Sequence, residues 1–197
     1  MSDEKEILSI LSFDEFKNLS VSLNKSLKGS KSIKRLSIQC TNYDYQNLDT
    51  RIRITNGKSE IMQKIGDWKS DVRQEISIPL KSDSDLILKT LKILRNITKG
   101  ENIQTSIIQL ENTVYKQKDF EIKLTHQFGK KDVYNCEIEV FDSKLDPKDI
   151  ASNFNIPLHL PDHTAEFWKN WSESVNLSAD GLSDKEMLEI ISEYIKI

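Results

Sequence analysis

Polar and apolar residues alternate in eight separate stretches of this chain. In 134–141 the even positions Tyr134, Cys136, Ile138 and Val140 are apolar or aromatic, while Asn135, Glu137 and Glu139 are polar. Period-two alternation is a strand signal, because successive side chains point to opposite faces. The pattern predicts strands over 4–11, 35–45, 49–55, 58–65, 72–80, 106–116, 119–128 and 132–141. Between and after them the period changes to that of a helix. Ser12 and Glu15 form a capping box, followed by Phe16, Leu19, Leu23 and Leu27 at helical spacing, and Gly29 ends the helix. A second helix is predicted over 82–97, with Ile87, Leu91, Leu94 and Ile97 as its apolar stripe. Asp146-Pro147 starts a short helix, 164–172 carries Phe167, Trp168 and Trp171, and a last helix opens at Ser183 with a capping box to Glu186.

Short connections, including the tight-turn pair Asn56-Gly57, imply antiparallel pairing. Eight antiparallel strands can close on themselves. The expected fold is therefore α+β, an eight-stranded antiparallel β-barrel flanked by helices. A single domain over 1–197 is expected, with the helices at 164–172 and 183–196 packing outside the barrel. Helices outside would turn the charged strand faces into the lumen. An ordinary one-sided sheet, with its polar face in water, accounts for the same alternation.

Composition narrows the functions open to this chain. It has 28 Lys and Arg against 31 Asp and Glu, a net charge of −3. That argues against a non-specific nucleic-acid binder, which needs excess cations to displace counterions. Cys40 and Cys136 are far apart and form neither a zinc spacing nor a disulfide framework. No apolar run of membrane-spanning length and no signal peptide is read, so a cytoplasmic setting is expected.

Glu137 and Glu139 share one face of a strand, and Arg51 and Arg53 share one face of another. Paired carboxylates need water, cations or a hard metal ion, and paired arginines suit phosphate. His126 falls on an apolar face, as do both cysteines, and these read as packing residues. Trp68, Trp168 and Trp171 read the same way. No glycine-rich phosphate loop and no Ser-His-Asp arrangement is present.

The order of these charges resembles the CYTH family, the triphosphate tunnel metalloenzymes. The resemblance runs over roughly 3–176, most of the chain. It is carried by Glu4-Lys5-Glu6 on the first strand, Arg51-Ile52-Arg53, Met62-Gln63-Lys64, Arg73-Gln74-Glu75, the helix over 82–97, Tyr115-Lys116 and Glu137-Ile138-Glu139. Two positions depart from the family pattern. Leu8 stands where a lysine is expected, and Glu111 or Asn112 where an arginine is expected. Glu111 inside a phosphate site would repel its ligand, and Lys123 would compensate for the missing cation.

The resemblance implies a divalent-metal-dependent phosphohydrolase or adenylate cyclase. Its substrate would be a nucleoside triphosphate or other polyphosphate bound in the barrel. Glu4, Glu6, Glu137 and Glu139 would hold Mg²⁺ or Mn²⁺. Arg51, Arg53, Lys64, Arg73, Lys116 and Lys123 would bind the substrate, and Glu6 or Glu75 would act on water. The implied partner is a triphosphate-containing small molecule. Nucleic acid is expected only as a 5′-triphosphate end, no membrane partner is expected, and the protein would be a monomer or homodimer. The alternative implied by the two departures is a tunnel domain that binds a phosphorylated ligand or partner without turnover.

Overall fold

In the computed structural model, which describes residues 5–43, 48–66, 74–98, 103–142, 144–162 and 164–196, all eight alternating stretches are strands. They are β1 (Lys5–Leu11), β2 (Lys31–Asn42), β3 (Leu48–Thr55), β4 (Lys58–Ile65), β5 (Gln74–Leu80), β6 (Ile103–Lys116), β7 (Phe120–Phe128) and β8 (Val133–Val140). A two-residue strand, β9 (Leu177–Ser178), is added beside β6. The helices are α1 (Phe13–Ser26), α2 (Ser84–Ile97), α3 (Pro147–Asn153), α4 (Ala165–Val175) and α5 (Asp184–Ile195). Both predicted capping boxes form, Ser12 with Glu15 and Ser183 with Glu186. Asn56 and Gly57 both adopt positive φ, 46° and 77°, which matches the twist of the β3–β4 hairpin.

Every strand pair is antiparallel, in the order β1-β8-β7-β6-β2-β3-β4-β5. The α+β class and the antiparallel sheet are as expected, while the hydrogen bonds do not show the closure of the expected barrel. Among the described residues no hydrogen-bonded ladder joins β1 to β5. The outer edge of β1 is partly taken by the chain after α3 instead: the Ile10 N–H donates to the His159 carbonyl at 3.0 Å. The Ser9 hydroxyl donates to the Pro157 carbonyl at 2.6 Å and accepts from the His159 N–H at 2.8 Å.

The sheet nevertheless rolls up. Glu137 on β8 and Lys64 on β4 lie five strand steps apart, ~24 Å in a flat sheet at ~4.8 Å per step. Screening removes most of an interaction beyond about 10 Å. Yet the Lys64 charge reaches Glu137 and helps lower its pKa. The concave faces of the two halves therefore look at each other.

Hydrophobic burial fixes which face is concave. Leu36, Ile38, Ile52 and Ile54 pack under Ile87 and Leu91 of α2 and Met187 and Ile191 of α5. Ile122, Leu124, Cys136 and Ile138 pack under Leu19 and Leu23 of α1 and Ile150 of α3. These four helices cover the convex side, and the charged positions are left to the concave side. Both cysteines are buried and free on the convex face. His126 stacks on Tyr134 at 4.9 Å there and bonds Asp132 at 3.1 Å.

The α4 stretch, expected outside the barrel, lies against the concave side at one end. Its last turn carries small polar groups whose partners are there: Ser172 bonds the Ser106 hydroxyl at 2.7 Å, and the Asn176 Oδ1 accepts from Gln127 Nε2 at 2.5 Å. The turn after β7 comes close to the same place. A Cβ on Gly129 would lie 2.7 Å from the Val175 carbonyl oxygen, while the Lys130 N–H donates to that oxygen at 2.8 Å. Gly129→Ala is expected to displace the end of α4 and cost about 1–3 kcal/mol, measured as a lowered thermal midpoint.

Candidate functional site

The unbroken ladders place the concave side chains in cross-strand rows. One row runs Leu8, Glu137, Lys123, Val114, Lys31. The next runs Glu6, Glu139, Glu121, Lys116. Across the sheet, Ser37 pairs with Arg53, Arg53 with Glu60, and Lys64 with Glu75.

Two ion-pair networks result. On the β3–β5 side, Arg53 Nε donates to Glu60 at 2.7 Å and its Nη2 to Glu75 at 3.0 Å. Lys64 Nζ lies 3.8 Å from Glu75, and the Ser77 hydroxyl donates to Glu60. Arg51 is paired with Asp49 next to it on the same face. On the β7–β8 side, Lys123 Nζ sits among three carboxylates, 2.6 Å from Glu137, 2.8 Å from Glu139 and 3.4 Å from Glu121. Burial opposes the charge of both partners here. Lys123 outweighs it for Glu137, with Lys64 and Arg35 adding to the effect, and the Glu137 carboxyl is held below its usual range. Burial is outweighed for Lys123 as well, by Glu137 and then Glu139, and its ammonium is held above its usual range.

Between the networks stands Arg35, which the strand pattern placed on the polar face but which was not read as a site residue. Its Nε donates to the Thr55 hydroxyl at 3.1 Å. Burial, then the nearby guanidinium groups of Arg53 and Arg51, pulls its pKa down to about 10. It lines a cavity of about 480 Å³ with Lys31, Lys116 and Lys123. That volume is within the range of small-molecule sites. Asn112 lines the same cavity, and its buried Oδ1 has no hydrogen-bond partner.

Most expected residues thus come to one concave surface. Arg53, Lys64 and Glu75 share one network, and Lys123, Glu137 and Glu139 share the other. Glu6 is half-buried across from Glu139. Lys116 is exposed at the cavity wall, with its ammonium 5.4 Å from the centre of the Phe141 ring. Glu4 and Arg73 lie outside the described residues. The repulsion expected from Glu111 is corrected: its ladder partner is His126 on the convex face, where it is exposed, and Asn112 is the inward residue. Counting back by twos from Lys116 gives this parity. Glu60, Glu121 and Arg35 were not read as site residues. All three follow the same alternation, but what makes them part of the site is their cross-strand neighbours.

No family model matches the sequence, and no curated protein matches it at a significant level. Solved structures do. The chain has the fold of proteins that include an RNA triphosphatase and a candidate adenylate cyclase, the tunnel fold named above. A Bacillus halodurans protein named as a candidate adenylate cyclase superposes with a TM-score of 0.59 at 16% identity, covering 82% of this chain and 94% of that one. A conserved hypothetical protein from Pyrococcus furiosus gives 0.58 at 14% identity, covering 78% and 91%. The RNA triphosphatase domain of the mimivirus mRNA capping enzyme gives 0.51 at 14% identity, covering 78% and 89%. At these identities the likeness is one of fold. No described helix is long and apolar enough to cross a membrane.

The family resemblance implies a divalent metal held by Glu4, Glu6, Glu137 and Glu139. Of these, Glu137 and Glu139 do not fit one as they stand. Among the described residues no three carboxylate, imidazole or thiolate groups converge as a metal site. The space between Glu137 and Glu139 is bridged by an ammonium.

Proposed function

We propose that this chain binds the triphosphate of a small molecule, or of an RNA 5′ end, along its concave surface and hydrolyses the terminal phosphoanhydride. The observation that carries the reading is Arg35, a partly buried cation pressed by two other guanidinium groups, which the charges of Glu137 and Glu60 only partly offset, on a cavity wall shared with three lysines. A polyanion relieves that repulsion, and planar guanidinium groups match phosphate oxygens in pairs. The fold shared with a triphosphatase supports the choice of ligand.

In this reading Arg35, Lys31 and Lys116 hold the phosphates, and Arg53 and Lys64 face them from the other half of the rolled sheet. Arg73 is proposed to join them, and Arg51 to support the row. Glu75 sits beside Arg53 and Lys64, where its carboxylate can orient a water and take its proton. The water oxygen attacks the terminal phosphorus, the bridging P–O bond breaks, and the cations stabilise the charge gathering on the leaving phosphate.

Phosphate release is to be measured from tripolyphosphate, ATP, thiamine triphosphate and 5′-triphosphate RNA, with and without Mg²⁺ or Mn²⁺, and ATP products checked for cyclic AMP. The expected result is release that falls about 100-fold in Glu75→Gln while the ligand still binds. The second reading, binding without turnover, is favoured by the ammonium among the carboxylates. Saturable binding with no release from any substrate would select it.

A further inference from the structure

We infer that Lys123 is the resident cation of this site: its ammonium takes the place of a divalent ion among Glu121, Glu137 and Glu139, so the native chain holds Mg²⁺ or Mn²⁺ weakly, and removing the ammonium creates a metal site. The inference begins with geometry. One Nζ lies within 2.6, 2.8 and 3.4 Å of carboxylates from β8 and β7. The ammonium donates to Glu137 and Glu139, and Glu121 stands at ion-pair distance.

The rows explain why a lysine stands there. Leu8, Glu137 and Lys123 are consecutive members of one cross-strand row. The cation missing from β1 is supplied from β7, two strands away on the same row, but in reach of both Glu137 and Glu139. A lysine on β1 would approach this pair from the other side. These carboxylates also meet cations without a metal. Three carboxylates meet Lys123 directly, while Lys64 and Arg35 act on Glu137 from the opposite half of the sheet. A divalent ion would need oxygen ligands at about 2.0–2.2 Å in place of N–H···O contacts near 2.7 Å. It would also have to expel an ammonium into a surface already lined with Arg35, Lys31 and Lys116.

The claim does not depend on the triphosphate reading, because metal binding is measured with no triphosphate present. Free Mn²⁺ is to be followed by electron paramagnetic resonance at neutral pH in the wild type, Lys123→Met and Lys123→Met/Glu137→Gln. The wild type is expected to leave the free-ion signal at about 100 µM Mn²⁺ unchanged. Lys123→Met is expected to bind one ion at least about tenfold tighter, and the added Glu137→Gln to abolish that gain. Folding of each variant is checked by circular dichroism, and Lys123→Gln replaces Lys123→Met should the latter fail to fold. The wild-type arm stands without any variant: saturable Mn²⁺ binding there well below 100 µM overturns the inference. So does a folded Lys123 variant that binds Mn²⁺ no better than wild type. Tripolyphosphate binding, titrated separately on the same proteins, reports on the proposed function and can fail or succeed independently.

Discussion

Arg35→Met is expected to weaken tripolyphosphate binding by about tenfold to a hundredfold while raising the thermal midpoint of the free protein. The two effects have one cause. In the fold the charged form of Arg35 is disfavoured by burial and by Arg53 and Arg51, which draws its pKa from 12.5 to about 10. A base whose folded pKa lies below its unfolded value costs stability wherever it is charged. The cost is present in full below about pH 10 and fades as pH rises toward the unfolded value. At neutral pH, methionine removes it and keeps an unbranched side chain of similar length. Allowing for solvent screening and the lost Thr55 contact, the gain is about 1–2 kcal/mol, or about 3–6 °C in a chain of this size. The same substitution deletes a charge-assisted contact to the ligand, worth about 1.5–3 kcal/mol. Scanning calorimetry and a binding titration on one preparation check both signs. A lowered midpoint with unchanged affinity would mean that Arg35 is a structural residue.

Ile38→Ala is expected to cost about 3–4 kcal/mol of stability. Ile38 has no exposed surface, and its ladder neighbours Ile52 and Ile107 have none either. It lies in the cluster shared by β2, β3, α2 and α5, where helices and sheet must both move to fill a void. Because Ile38 points to the convex side, tripolyphosphate affinity measured well below the midpoint should not change. Urea unfolding gives the first quantity and titration the second. A loss of affinity at full folding would show that the two faces of β2 are coupled.

The strands were legible because their faces differ so sharply in polarity. The range 58–65 is the observed β4 to the residue. The first four residues of β2, Lys31–Lys34, escaped notice because three of them are polar; they are held by pairing with Val114 to Glu111 rather than by their own pattern. β9 has two residues, too few for any period to register. The segment laid along the outer side of β1 could not be read either, since it turns on a backbone contact between Ile10 and His159, 149 positions along the chain. For the site, sequence alternation gave the direction of each charge but not its neighbours. Glu137 and Glu139 look like metal ligands along one strand. Only the β7–β8 register puts Lys123 between them. Arg35 belongs to a row with Thr55 and Leu110 and has no charged neighbour within two residues on its own face. Its company with Arg53 and Arg51 comes from the β2–β3 register, which sets Arg53 diagonally opposite it and Arg51 one step further along.

The most direct test of the account is a calorimetric titration of tripolyphosphate into the wild-type protein in a chelator-containing buffer, repeated with Arg35→Met. The account predicts one saturable site with a dissociation constant of about 1–100 µM, formed without divalent metal and weakened in the variant. No binding to the folded wild type, or binding that appears only on adding Mg²⁺ or Mn²⁺, would contradict it.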